Sequence, residues 1–262
     1  IRQYFSCSLC ILSYKSIIRI CKSPHIWGFM KGHNMNPNLR IGNKEDNMAG
    51  RLIDERINDY VEALSSGAPT PGGGAVAALT AAQGAALIMM VANLTVGKKK
   101  YAEFEELNVA AIEEAKGYLD QLMSGVDEDK KAFGQVASAY GMPKETDEEK
   151  AARSEAIAIA SVGAAEAPLK VMRAGTCALR LADSLIDRSN KQLVSDLYVA
   201  ALNLNAGVQA AEFNVSANVP YIPDRELAES WKKESEKLSE EANTVSTKIL
   251  CKKNNILCKK YA

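Results

Sequence analysis

Residues 75–95 read AVAALTAAQGAALIMMVANLT, and no charged side chain occurs between Glu62 and Lys98. A run of this length could cross a membrane. Most of its mass is alanine, however, a weak hydrophobe, and Thr80, Gln83, Gly84 and Asn93 interrupt it further. Small side chains on every face suit a helix closely surrounded by other helices. The stretch therefore predicts a buried central helix, no membrane span, and a fold packed around it.

On its N-terminal side, Ala68-Pro-Thr-Pro-Gly-Gly-Gly74 is a loop that neither helix nor strand could contain. Before that loop, Leu52, Ile53, Ile57, Tyr60, Val61 and Leu64 recur at helical spacing with charges opposite. They predict an amphipathic helix over 51–65 that stops at Ser65-Ser66-Gly67. On the C-terminal side, helical patterns cover 101–140, 147–188 with an interruption near Pro168, and 190–217. In 224–249, Leu227, Trp231, Leu238, Ala242, Val245 and Ile249 keep near-heptad spacing among charges. That seam suits subunit contact in a homodimer and equally a helix packing within its own chain. No run alternates β-branched and polar residues. The expected fold is all-α, a bundle of long helices in a single domain over 48–250.

The flanks differ in composition. Residues 1–49 carry seven basic and two acidic side chains, and 251–262 add four lysines, leaving 21 basic and 30 acidic residues between. An acidic domain argues against nucleic acid as a partner, because phosphate neutralisation needs a basic face. Cys7, Cys10, Cys21, Cys251 and Cys258 all lie in the flanks, and only Cys177 lies in the domain. One cysteine builds no disulfide framework, which fits a reducing, cytoplasmic setting. Cys7-x-x-Cys10 has no second pair, so it makes a poor metal site. Segment 1–47 reads as a targeting leader, a disordered arm, or upstream sequence ahead of a true start at Met48, the last being preferred. The tail 251–262 shares its foreign composition.

The domain contains no histidine, since His25 and His33 both precede Met48. Serine–histidine–aspartate catalysis, histidine-ligated zinc and an imidazole base are thereby excluded from it, and no metal is expected. Cys177, in an apolar helical context, reads as a buried structural residue. Proton transfer falls to Asp, Glu, Lys or Tyr. Three constellations then stand out. Thr70-Pro71-Gly72-Gly73-Gly74 leads straight into a helix, where glycines permit close approach and free N–H groups await an anion or carbonyl. Asn93 and Lys98-Lys99-Lys100 follow at the other end of that helix, where lysines either cap the dipole or hold an anionic ligand. In Asp127-Glu-Asp129-Lys-Lys-Ala-Phe133, Asp129 and Phe133 share a helical face. An inward-facing Asp129 would have its proton affinity altered by burial, but the residues alone favour exposed acids on a charged helix.

These motifs, in order and spacing, resemble the cyclodeaminase/cyclohydrolase family, which includes the cyclodeaminase part of formimidoyltransferase-cyclodeaminases. The likeness rests on Ala68–Leu79, Val91–Tyr101, Asp129–Phe133, Ala139-Tyr-Gly-Met-Pro-Lys144, Ser189-Asn190, Ser195-Asp196-Leu197 and Phe213-Asn214-Val215, and covers about 51–248. It contains nothing of a transferase part.

The resemblance implies an all-helical homodimer that binds a tetrahydrofolate derivative, without metal or other cofactor. In a cyclodeaminase, N10 of 5-formimidoyl-tetrahydrofolate attacks the amidine carbon, and ammonia leaves to give 5,10-methenyl-tetrahydrofolate; this reaction is the first expectation. In a cyclohydrolase, water opens the methenyl ring to the 10-formyl compound. A non-catalytic scaffold is the remaining alternative. By resemblance Asp129 is the acid/base, and Gly72, Gly73 and Gly74, with Thr70, approach the pterin or one-carbon group. Lys98, Lys99 and Lys100 attract the carboxylates of a mono- or polyglutamyl tail. Asn93, Asn190, Ser195 and Asp196 complete the polar lining. Ala75 departs from the family pattern, in which Ser is frequent.

Overall fold

In a computed structural model of the protein, residues 50–261 are described, with side chains to Lys252. The readings of Cys7, Cys10, His25, His33 and a start at Met48 lie outside the described residues. Six α-helices follow in order: α1 Ile57–Ser65, α2 Gly73–Asn93, α3 Glu105–Tyr140, α4 Asp147–Leu185, α5 Val194–Asn218 and α6 Arg225–Tyr261. Short 3-10 turns at Leu52–Asp54, Lys99–Phe104, Lys191–Leu193 and Val219–Tyr221 join them, and no strand occurs among the described residues. The bundle of long helices is as the periodicity predicts.

Helix α2 packs against α3, α4 and α5. Its alanines at 75, 77, 78, 81, 82 and 85 are buried, and small partners let the backbones close up. A Cβ on Gly84 would stand 2.6 Å from Leu204 Cγ, and one on Gly207 would stand 2.7 Å from the Ala77 carbonyl oxygen. Gly73 beside Asn214 at one end and Thr95 beside Asn190 at the other show that α2 and α5 run antiparallel. By length and composition α2 could cross a membrane, but 56% of its apolar window is buried inside the bundle. Its neighbours cover only part of its circumference. One stripe stays outside, so the central helix is less enclosed than its composition suggests.

Two elements differ from the sequence expectation. Helix α4 runs through Pro168 without interruption. Proline removes the N–H that would reach the carbonyl four residues back. That carbonyl, on Ala164, instead accepts a bond from Asn218 Nδ2 at 3.1 Å, so α5 supplies the missing donor. The first helix begins at Ile57, not at Arg51, because Asp127 draws the preceding segment into a 3-10 turn through the Leu52 N–H at 2.6 Å. The stripe read as one core face is thereby split. Leu52 and Tyr60 are buried, while Ile57 is 80% and Val61 52% exposed.

Helix α6 continues to Tyr261, past the expected end near Ile249. Its heptad positions pack on the same chain: Ala242 and Ile249 are buried, and Leu227, Trp231, Leu238 and Val245 lean on the core. Arg173–Glu234 and Arg180–Glu241 bridge α4 to α6 seven residues apart on each helix. Of the two readings of that seam, packing within the chain is the one realised.

Candidate active site

The sequence run Asp127-Glu128-Asp129 divides into three different jobs. Asp127 accepts from the Leu52 N–H and pairs with Arg51 Nε at 3.2 Å, so it anchors the chain entering α1. Glu128 turns toward Lys170 at 3.5 Å. Asp129, half-buried, crosses to the N-terminus of α2 and accepts the Ala75 N–H through Oδ2 at 3.0 Å. The exposed-acid reading that the residues alone favoured therefore fails for Asp129.

This contact follows from the glycine run. The N-cap of α2 is Gly72, which has no side chain to satisfy the first free N–H groups. Asp129 supplies the missing acceptor from another helix. It can do so because Gly74 leaves room: a Cβ there would meet the carboxylate, standing 2.6 Å from Cγ. Oδ1, the oxygen over Gly74, accepts no hydrogen bond among the described residues. Asp129 thus keeps one oxygen committed and one available.

Burial pushes the Asp129 carboxyl above its ordinary range, and the Ala75 N–H opposes that shift only in part. A raised carboxyl populates both protonation states nearer neutrality, as an acid/base requires. Phe133 does not provide this burial. It is 43% exposed, whereas Gly74 and Ala75 at the start of α2 lie directly against the carboxylate. Tyr60, which the sequence reading took only as a core residue, adds a second polar group. It is buried, its hydroxyl has no hydrogen-bond partner among the described residues, and burial, then Asp129 and Glu55, hold it in the protonated form. Asn214 lies 3.9 Å from the Gly73 Cβ position and completes the polar surroundings. No pattern in the sequence signalled either residue's proximity, because each comes from a separate helix.

The remaining candidates gather elsewhere. Thr70 and Pro71 precede Gly72 in the loop, and their peptide is cis. Asn93, Lys98, Lys99 and Lys100 are exposed at the opposite end of α2, which its 21 residues place about 30 Å away. Asn190 joins them there. Its N–H donates to Thr95 Oγ1 at 3.0 Å, and its Oδ1 accepts from the Gln192 N–H at 3.2 Å. Lys191 N–H donates to the Tyr101 hydroxyl at 3.0 Å. A pocket of about 330 Å³ opens there, lined by Asp187, Ser189, Asn190, Lys191 and Val194. Ser195 and Asp196 begin α5 at the same end. One chain therefore divides the candidates between two ends. Cys177 is half-buried beside Arg180, at 3.7 Å, and belongs to neither. No three His, Cys, Asp or Glu side chains are grouped to hold a metal ion among the described residues.

Comparison with known proteins places these features in a family context. The family model described as formiminotransferase-cyclodeaminase matches residues 56–237. A methenyltetrahydrofolate cyclohydrolase of Methylorubrum extorquens is 42% identical over 202 residues, covering 77% of this chain and 96% of that protein. The rat formimidoyltransferase-cyclodeaminase is 32% identical over 199 residues, covering 76% of this chain but 37% of that longer protein. The crystal structure of a formiminotetrahydrofolate cyclodeaminase from Thermotoga maritima superposes with a TM-score of 0.70 at 26% identity, covering 78% of this chain and 98% of that one.

Proposed function

The chain belongs to the formiminotransferase-cyclodeaminase family, a family of enzymes acting on tetrahydrofolate derivatives, and we propose that its own reaction is the cyclohydrolase one, 5,10-methenyl- to 10-formyl-tetrahydrofolate. The sequence reading put the deaminase first. The order changes because the cyclohydrolase relative is 42% identical, against 32% for the rat cyclodeaminase and 26% for the Thermotoga one. The observation that carries the chemistry is Asp129 at the start of α2, with a raised proton affinity and one oxygen free.

In this reading the ionised Asp129 accepts a proton from water as the oxygen bonds to the methenyl carbon. The tetrahedral centre then holds N5, N10 and a hydroxyl. Protonation of N5 by Asp129 breaks the C–N5 bond, and loss of the hydroxyl proton to solvent leaves the 10-formyl group. The protonated Tyr60 hydroxyl and the Asn214 amide supply polar contacts nearby. The glycine run lets the flat ring approach the backbone. Lys98, Lys99 and Lys100 attract the glutamate carboxylates of the tail. The enzyme acts as a cytoplasmic homodimer with no cofactor besides its folate substrate.

Cyclodeamination is the second reading. The solved Thermotoga structure bears that name, and the same carboxylate could deliver a proton to departing ammonia. The test is to incubate the protein with each substrate and follow the methenyl chromophore. Loss of chromophore from the methenyl compound supports the hydrolase, and its growth from the formimidoyl compound supports the deaminase. Inertness toward both overturns the enzymatic reading.

A further inference from the structure

Phe133 neither packs into the core nor joins the contact between Asp129 and α2, and 43% of it is exposed. Two contacts fix its level in the bundle. A Cβ on Gly125 of α3 would stand 3.3 Å from Ala78 Cβ of α2. Asp129, four residues on along α3, reaches the Ala75 N–H, three residues back along α2. In the same antiparallel steps, Phe133 comes level with Gly72, at the mouth of the glycine run. Helical side chains lean toward the N-terminus of their own helix, so the ring tilts back over the turn that carries Asp129. Opposite it the chain offers bare backbone. A Cβ on Gly72 or Gly73 would meet nothing nearer than 3.9 Å, in contrast to Gly74, so packing does not demand glycine at either position. Room for a flat group is left between that backbone and the ring.

We propose that the exposed ring of Phe133 is a cation-binding subsite, which takes the positively charged N5–C–N10 bridge of the methenyl substrate against the Gly72–Gly73 backbone. The inference rests on the folate reading above. The methenyl compound carries a delocalised positive charge over those three atoms, whereas the 10-formyl product is neutral there. An aromatic face attracts a cation within about 6 Å of its centroid. An aliphatic side chain of similar size would offer apolar contact without that attraction.

The charges around the ring suit a cation. The N-terminus of α2 carries about half a positive charge, and the Asp129 carboxylate at the Ala75 N–H opposes it. Lys130 is turned to the Gly50 carbonyl at 3.2 Å. Lys131 lies two residues from both Asp129 and Phe133, so it projects from another side of α3. Tyr60 and Asn214 bring no positive charge. The attraction is spent on the ground state, because addition of water to the bridge discharges it before the C–N5 bond breaks. Phe133 therefore selects charged substrate and releases neutral product, and its loss should appear in KM and leave kcat in place.

The test compares the full chain with its Phe133→Leu and Phe133→Tyr variants. Steady-state kinetics on 5,10-methenyl-tetrahydrofolate give kcat and KM, and neutral 5-formyl-tetrahydrofolate serves as a competitive inhibitor with the same ring system. Phe133→Leu should raise KM for the cation roughly 3–30-fold, the range of a cation–π contact. Its kcat should not fall, and the inhibition constant of the neutral compound should stay as in the wild type. Phe133→Tyr keeps the aromatic face and should keep the wild-type KM. An equal rise in KM and inhibition constant would reduce Phe133 to an apolar contact and overturn the proposal. An unchanged KM in Phe133→Leu would overturn it as well, as would a lost kcat at constant KM. If the wild type turns over neither folate, the proposed reaction fails, and equilibrium binding of the same two compounds still decides the subsite by the same ratio. A chain that binds neither compound overturns both.

Discussion

The Asp129 carboxylate occupies the space that a side chain on Gly74 would fill, its Cγ 2.6 Å from the Cβ position. The pairing joins a residue on α3 to the first turn of α2, and no side chain fits at Gly74 without moving Asp129. Gly74→Ala should therefore displace the carboxylate from the Ala75 N–H. The backbone there has no positive φ to protect, so the helix should still form. Expected is a loss of kcat with a modest fall in melting temperature, read by steady-state kinetics beside calorimetry. An unchanged kcat would show that the position of Asp129 does not matter.

Burial of Asp129 also makes stability depend on pH. Its folded-state proton affinity is raised, so the contribution to stability is fully present below the unfolded value of about 3.9. It is lost as pH rises through the folded value. Asp129→Asn removes this titration and keeps an oxygen for Ala75. Relative to wild type, the variant should gain melting temperature at pH 8 over its standing at pH 4. A difference of the opposite sign would mean that the carboxylate is stabilised as an anion.

The lysine triad gives a separate outcome. Replacing Lys98, Lys99 and Lys100 with Gln should raise KM more for polyglutamylated than for monoglutamyl substrate. The difference should shrink with added salt, because exposed charges are screened. Equal effects on both substrates would return the lysines to a helix-capping role.

Asn218 offers a test of the fold alone. Asn218→Leu leaves the Ala164 carbonyl without the donor that replaces Pro168's missing N–H. The expected loss is about 1–3 kcal/mol in chemical denaturation, the cost of an unsatisfied buried acceptor. The same substitution made together with Pro168→Ala should cost less, since the helix then supplies its own bond. Equal losses in the two backgrounds would show that Asn218 acts otherwise.

The long helices were legible because their apolar spacing and the Gly-Pro punctuation are local. Pro168 misled because its remedy, Asn218, lies 50 residues further along the chain. Asp129 was reached through family resemblance, whereas its charged neighbours on α3 pointed to solvent. What distinguishes it from Asp127 and Glu128 is a partner, the uncapped start of α2, which only the folded chain brings near. The composition of α2 predicts a helix surrounded by other helices on every face, yet one stripe of it stays outside. Periodicity reports that a face avoids water but carries no record of what covers it.

Asp129 is the group to which the proposed reaction assigns the proton. Asp129→Asn keeps the shape and an acceptor for the Ala75 N–H, so folding and folate binding should survive. The most direct measurement is its single-turnover rate on the methenyl substrate, with binding measured separately. Expected is a fall of about 10²–10⁴-fold with near-normal affinity, the usual range for a lost general acid/base. A near-wild-type rate would contradict it.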